Sequence, residues 1–320
     1  MKKKTIRKIL LLDNAHEILS AKLSDAGIQI TAKPDMTSEE LMKVIGLYDG
    51  IIVRSKHIID KVLIDESQNL EFIARIGSGM ENINVAYAEK KGILCINSPE
   101  GNRDAVGEHA LAMLLALFNR ICIADMEVRK GMWNREPNRG TEIMGKTVGI
   151  IGYGNTGSAF AQKLSGFRAN VIAYDKYKTG FSDPYVREVS LKDLMKHSEI
   201  VSLHIPLTDE TRKMADKGFF ESFSKKIYLV NTSRGEVVNT ADLVALLQSG
   251  IIAGACLDVI EYENFSFENM NPTDKNTFDY LINSQNVVLS PHIAGWTKES
   301  HIKLSEVLAD KILSLYPQKI

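Results

Sequence analysis

The stretch 145-GKTVGIIGYGNTGSAFAQKLSGF-167 sets the reading of this chain. A β-branched apolar run, Thr147 to Ile151, leads into Gly152-Tyr153-Gly154-Asn155-Thr156-Gly157, and an amphipathic segment from Ser158 to Leu164 follows. Glycines at this spacing are weak evidence alone, because glycines gather in turns for many reasons. The flanks give them meaning: a strand before, a helix after, and then 171-VIAYD-175, a second strand ending in an acid 23 positions past Gly152. Gly152 then allows a tight turn, Gly154 lets backbone approach a pyrophosphate, and Gly157 permits close helix–strand packing. The helix start offers N–H groups and positive dipole to phosphate. Asp175 accepts from both ribose hydroxyls and repels a 2′-phosphate, which selects NAD over NADP. The stretch predicts a Rossmann-type dinucleotide-binding domain.

Outward from it, short apolar runs alternate with amphipathic segments. Upstream the strand candidates are 8-KILLL-12, 28-IQIT-31, 50-GIIVR-54, 71-EFIAR-75 and 93-ILCIN-97. Helical patterns at 15–27 and 38–47 separate the first three, the second with Thr37 or Ser38 as N-cap. Downstream, strands are expected at 147–151, 170–175, 199–204, 227–231, 252–258 and 286–290, with a last helix at about 297–315. Apolar strands joined by helices imply parallel sheets covered on both faces. Between the two series, 101–131 reads as one long helix or two in tandem, apolar nearly all round in its middle, and therefore buried between domains or against another subunit. The fold class is α/β, with two doubly wound parallel-sheet domains. The polar stretch 261-EYENFSFENMNPTDKNTFDY-280 is the one long loop expected.

The bulk properties agree. A chain of 320 residues exceeds the roughly 250–300 at which a single core stops growing. A net charge of −1 argues against nucleic acid or an anionic membrane as partner. The basic opening MKKKTIRK meets an apolar run too short for a signal peptide. The longest apolar run, 110-ALAMLLALF-118, falls short of the ~20 residues a bilayer needs. Cys95, Cys122 and Cys256 lie far apart in apolar segments, without disulfide or metal spacing. No metal is expected, and the reading is a reduced, cytoplasmic protein.

Three further strand ends carry chemistry. In 229-LVNTSRGEVVN-239 a buried strand runs into Arg234, whose planar fork suits a carboxylate. In 256-CLDVIEYEN-264 another ends in Asp258, Glu261 and Glu263, and 287-VVLSPHIAGW-296 presents His292. Open α/β sheets bind ligands at strand carboxyl ends. Arginine, glutamate and histidine there, downstream of a dinucleotide fingerprint, match the needs of hydride chemistry on a 2-oxo acid. An imidazolium protonates the carbonyl, a carboxylate holds the ring, and a guanidinium fixes the acid.

The sequence resembles the D-2-hydroxyacid dehydrogenase family over essentially its whole length. The resemblance rests on 74-ARIGSGMENIN-84, 97-NSPEGN-102, 145-GKTVGIIGYGNTG-157, 204-HIPLTDET-211, 231-NTSRGEVV-238, 257-LDVIEYE-263 and 290-SPHIAGWT-297. It implies a flavodoxin-like substrate domain of residues 1–98 plus 292–320, an NAD domain of 99–291, and a homodimer built on the helix after residue 100. It makes Arg234, Glu263 and His292 the catalytic residues. The cofactor would meet Gly152, Gly154, Asn155, Thr156, Gly157, Asp175, His204, Pro206, Thr232, Ser233, Asp258, Ala294 and Gly295. Within the family the likeness is greatest to 3-phosphoglycerate dehydrogenases, through 52-IVRSK-56, 75-RIGSG-79, 97-NSPEGN-102 and 131-GMWNR-135. That likeness implies a substrate site of Arg54, Lys56, Arg75, Ser78, Gly79 and Asn102, with Arg135 reaching a neighbouring subunit's site.

The chain departs from the family in places. Asn264 stands where many relatives have proline, and the longer 264–284 segment leaves Glu261 as an alternative partner for the histidine. Asn155 replaces a basic residue often found in the phosphate loop. With the chain ending at Ile320, allosteric control by serine is not expected. The expected function is NAD-dependent oxidation of D-3-phosphoglycerate in serine biosynthesis. The alternatives are reduction of hydroxypyruvate, glyoxylate or another small 2-oxo acid and, in another class, an NAD-sensing corepressor-like binding protein.

Overall fold

The structure is a computed structural model and describes residues 6–263 and 274–316. The chain divides into two compact units, Met1–Asn102 with Trp296–Ile320, and Arg103–Gly295. The joins fall at 102 and 295 rather than at the expected 98 and 291, so His292 belongs to the second unit.

The first unit is a five-stranded parallel sheet. Its strands are β1 (Lys8–Leu11), β2 (Gln29–Ala32), β3 (Gly50–Val53), β4 (Phe72–Arg75) and β5 (Leu94–Asn97), in the order β2-β1-β3-β4-β5. This is the flavodoxin-like order. The central strands β3 and β4 are buried at every position, as their apolar runs require, and β4 closes on the buried Arg75. The connecting helices are α1 (Glu17–Asp25), α2 (Ser38–Val44), α3 (Lys61–Asp65) and α4 (Val85–Lys90). Thr37 and Glu40 close a capping box at the start of α2. The C-terminal helix, Lys298–Leu315, returns to this unit and packs Leu304, Leu308 and Ile312 into one of its two cores. Gly101 permits that approach, since a Cβ there would lie 2.5 Å from Leu304 N.

The second unit begins with α5 (Arg103–Phe118) and α6 (Ile121–Arg129), two helices in tandem broken where Arg120 takes φ 51°. Its strands are β6 (Thr147–Ile151), β7 (Asn170–Tyr174), β8 (Arg187–Glu188), β9 (Ile200–Leu203), β10 (Ile227–Asn231), β11 (Ile252–Leu257) and β12 (Val287–Leu289). All pair in parallel, in the order β12-β11-β10-β9-β6-β7-β8. The order reverses between β6 and β9, the switch point at which open sheets bind nucleotide. The linking helices are α7 (Asn155–Leu164), α8 (Leu191–His197), α9 (Lys217–Glu221), α10 (Thr240–Ser249) and α11 (Lys275–Asn283). Each face of the sheet carries a core. One holds Phe160 of α7 with Met113 and Leu114 of α5, and the other holds Phe220, Leu243 and Leu247. Gly107 lets α5 approach α7, because a Cβ there would lie 3.0 Å from Ala159 C.

Two elements differ from expectation. The presumed loop 261–280 contains the start of α11, capped by Asp274, whose Oδ1 accepts from Asn276 N and Thr277 N. Asn264 and the rest of 264–273 lie outside the described residues. The two-residue β8 is too short to leave a periodic signal. Among the described residues no helix is long and apolar enough to cross a membrane.

Candidate active site

The glycine turn is built as its spacing predicts. Gly152 takes φ +93° and donates its N–H to Tyr174 O at 2.9 Å, and a Cβ on it would meet His204 O at 2.4 Å. Gly157 would bring a Cβ to 2.1 Å from Gly152 O, whereas a Cβ on Gly154 would meet nothing within 4 Å. The α7 helix opens at Asn155 with no side-chain cap, so its first amides are left for a ligand. Asp175, just past β7, accepts Tyr153 N at 2.8 Å on one oxygen and Tyr177 N and Lys178 N on the other. These contacts fix the carboxylate at the mouth of the turn. Thr232 Oγ1 is buried and has no hydrogen-bond partner among the described residues. An open backbone cradle, an uncapped helix start, a fixed acid and an orphaned hydroxyl fit a dinucleotide.

Arg234, Glu263 and His292 follow β10, β11 and β12, three neighbours at one edge of the sheet. Asn231, the last residue of β10, braces the first loop: its Oδ1 accepts from Ser233 N and Oγ, and its Nδ2 donates to Arg234 O. Gly235 lets that loop lie against the next, since a Cβ there would sit 2.1 Å from Ile260 O. Glu263 Oε1 accepts Ile260 N at 2.5 Å, and its Oε2 lies 2.6 Å from His292 Nδ1. Glu261 is committed elsewhere, to Lys213 Nζ at 2.6 Å and Thr240 N at 3.1 Å. The histidine's partner is therefore Glu263. His292 itself takes φ +54°, a backbone conformation uncommon outside glycine, and its side chain is 21% exposed.

Several expected cofactor residues also make contacts within the protein. His204, just past β9, is buried, Nε2 on Ser202 Oγ at 2.8 Å and Nδ1 on Thr156 Oγ1 at 3.1 Å, with its ring against Phe160. Burial pushes it down to about 3, so the ring is neutral and braces the start of α7. Ser233 spends its hydroxyl on Asn231. Asp258 is 1% exposed and its oxygens take Ser290 Oγ, Ile293 N and Ala294 N, so it holds the histidine loop. Ala294 is buried by the same contact, whereas Pro206 is exposed and gives its carbonyl to Thr211 Oγ1.

The residues expected to bind substrate lie in the first unit, Arg135 excepted. Arg75 is 6% exposed, with Nε on Arg54 O at 2.7 Å and NH1 on Gly79 O at 2.7 Å. It braces two loops, its guanidinium donating to backbone carbonyls of both. Arg54 is different. Its backbone is fixed by Asp13 Oδ2 at 2.6 Å, its guanidinium lies 4.0 Å over the Trp296 ring, and burial holds it below its ordinary range against the pull of Asp13. Lys56 reaches Pro34 O at 2.5 Å, and Ser78 Oγ donates to Asn102 Oδ1 at 2.7 Å. Arg135 is exposed after α6 in the second unit. Sequence reasoning missed Asn231 as a brace and Trp296 as a platform, although the first directly precedes the Thr-Ser-Arg motif and the second closes the histidine motif.

Residues 111–294 match the family described as D-isomer specific 2-hydroxyacid dehydrogenase, NAD binding domain. The chain is 33% identical over 310 residues to D-3-phosphoglycerate dehydrogenase of Archaeoglobus fulgidus, across 96% of its own length and 57% of that protein's. It thus spans little more than half of that relative. It is 34% identical over 285 residues to hydroxypyruvate reductase of Thermotoga maritima, across 89% of this chain and 90% of the other. Among solved structures, D-lactate dehydrogenase from Aquifex aeolicus complexed with NAD and lactic acid superposes with a TM-score of 0.81 at 27% identity, covering 96% of this chain and 95% of that one.

Proposed function

We propose that this chain, which belongs to the D-isomer-specific 2-hydroxyacid dehydrogenase family, interconverts a D-2-hydroxy acid and its 2-oxo acid, with D-3-phosphoglycerate as substrate. The observation that carries the reading is the 2.6 Å contact between His292 Nδ1 and Glu263, one strand away from Arg234. Glu263 accepts a hydrogen bond from Nδ1–H, which fixes the tautomer and leaves Nε2 to exchange a proton with the substrate oxygen. As the substrate is oxidised, the hydroxyl proton passes to Nε2, and the positive ring that results lies beside the Glu263 carboxylate. NAD, when bound, supplies the acceptor of the substrate's hydride. Arg234 holds the substrate carboxylate through its planar fork.

A phosphorylated substrate is favoured by Arg54, whose guanidinium rests on Trp296 and meets no acceptor among the described residues. The second reading, a hydroxypyruvate reductase, is supported by the relative that this chain covers over 90% of its length. We place the protein in the cytoplasm, with free thiols at Cys95, Cys122 and Cys256, in the entry step to serine. A homodimer through α5 and α6 is supported by Ile121, Met126 and Val128 of α6, apolar residues all about half exposed, and by Trp133 beyond them at 78%.

The test is NAD⁺ reduction followed by absorbance with 3-phosphoglycerate, D-glycerate and D-lactate, and hydroxypyruvate with NADH in reverse. Preference for 3-phosphoglycerate is expected. His292→Ala should lower kcat by about 10²-fold or more while leaving NADH affinity nearly unchanged. A variant within about threefold of the parent kcat refutes the catalytic reading. Preference for an unphosphorylated acid keeps the chemistry and returns Arg54 to a structural role.

A further inference from the structure

His109 lies half-buried on α5, on the same helix as the buried apolar residues Val106, Ala110 and Met113. Its Nε2 lies 2.9 Å from Ser290 Oγ and 3.4 Å from Asp258 Oδ1. Ser290 Oγ in turn lies 2.6 Å from Asp258 Oδ1. A carboxylate can only accept, so the serine hydroxyl is the donor there and its lone pairs face the imidazole. His109 therefore carries its proton on Nε2 and donates it to Ser290.

The carboxylate at the end of this relay organises the loop that bears His292. Asp258 O accepts His292 N at 2.8 Å, Oδ1 accepts Ile293 N at 2.9 Å, and Oδ2 accepts Ala294 N at 2.8 Å. Those contacts hold His292 at φ +54°, which an L-residue adopts only when its surroundings impose it. Burial pushes Asp258 up, but hydrogen bonds from His109, Ser290 and the two amides outweigh it and keep the group charged.

We propose that His109 is a positioning residue for proton transfer at His292, acting through Ser290 and Asp258 to fix the 290–294 loop and with it the aim of the imidazole. The inference rests on the reading of His292 as the acid–base group. Every contact in it lies within the second unit. Loss of the donor at position 109 leaves Ser290 without its imidazole partner and loosens the carboxylate that holds the loop's backbone amides at Ile293 and Ala294. Small misplacement of a catalytic group lowers turnover without weakening ground-state binding.

The experiment compares His109→Leu and His109→Gln with the parent enzyme and with His292→Ala, reading kcat, KM, NADH affinity by fluorescence and the melting temperature. His109→Leu should lower kcat about tenfold or more, with KM and NADH affinity within about twofold. His109→Gln, which restores an amide donor without an ionisable ring, should recover most of the loss. The proposal is overturned if His109→Leu keeps kcat within about twofold, or if His109→Gln is no better than His109→Leu. Retained turnover in His292→Ala would instead bring down the catalytic reading, and the proposal with it.

Discussion

Replacing Gly157 by alanine should damage both the fold and cofactor binding, whereas the same change at Gly154 should damage only the second. A Cβ on residue 157 lies 2.1 Å from Gly152 O and 3.2 Å from Ile150 Cγ2. Carbon and oxygen make their closest ordinary approach at roughly 3.3 Å, so the overlap exceeds about 1 Å. Neither side yields readily. Gly152 is tied to Tyr174 O by its own N–H and lies so close to His204 that even a Cβ on it would come within 2.4 Å of His204 O, while α7 is held by Phe160, fully buried in the core. Overpacking of this kind costs about 1–3 kcal/mol. Displacing α7 also moves the amides at its start, and each charge-assisted hydrogen bond lost is worth about 1.5–3 kcal/mol, or roughly 10–100-fold in affinity. Gly154 has φ −93° and open space at its Cβ, so alanine there should leave stability within about 0.5 kcal/mol yet obstruct a pyrophosphate. Urea unfolding and NADH titration by fluorescence measure the two effects separately. The reasoning fails if Gly157→Ala unfolds within about 0.5 kcal/mol of the parent, or if Gly154→Ala loses as much stability as Gly157→Ala.

Glu263→Gln should lower kcat by about 10²-fold, whereas Glu261→Gln should leave it within about threefold, because Glu261 faces Lys213 and Thr240 rather than His292. Equal losses in steady-state turnover would contradict that division. Burial holds His204 at about 3 in the folded chain, below its unfolded value of 6.5. Between those values the unfolded chain binds a proton that the folded chain does not, so stability falls as pH falls, by about 1.4 kcal/mol per pH unit. Urea midpoints from pH 7 to 4.5 should show this slope, and His204→Asn should flatten it by about one proton. Burial and Glu89 raise the Cys95 thiol to about 11, and burial raises that of Cys256 too. Both should react slowly with a disulfide reagent at pH 8 until the chain is unfolded. Rapid labelling of either in the native protein would refute the packing around it.

The amino-acid sequence by itself determined the elements whose signals are local. Glycine spacing after a β-branched run specifies the turn at 152–157, because only a residue without a side chain fits so close to His204 O and Gly152 O. Continuous apolar runs mark strands buried on both faces, and the placement of Arg234, Glu263 and His292 just past three such runs puts them at one sheet edge. Tertiary structure decided the partners. Glu261 and Glu263 are two residues apart and chemically alike, yet Lys213 and Thr240 take one while His292 takes the other. Arg75, His204, Ser233 and Asp258 match a ligand-binding pattern in sequence, and packing decides which acceptor or donor each one also takes within the protein. The helix α11 was hidden because its start is polar and lies in a stretch that reads as loop. His109 lies 181 positions from Ser290, so only the packing of α5 on the sheet brings the two within hydrogen-bond reach. A hydrogen bond needs an orientation and a distance of about 3 Å, and neither is encoded locally when the partners belong to different strands and helices.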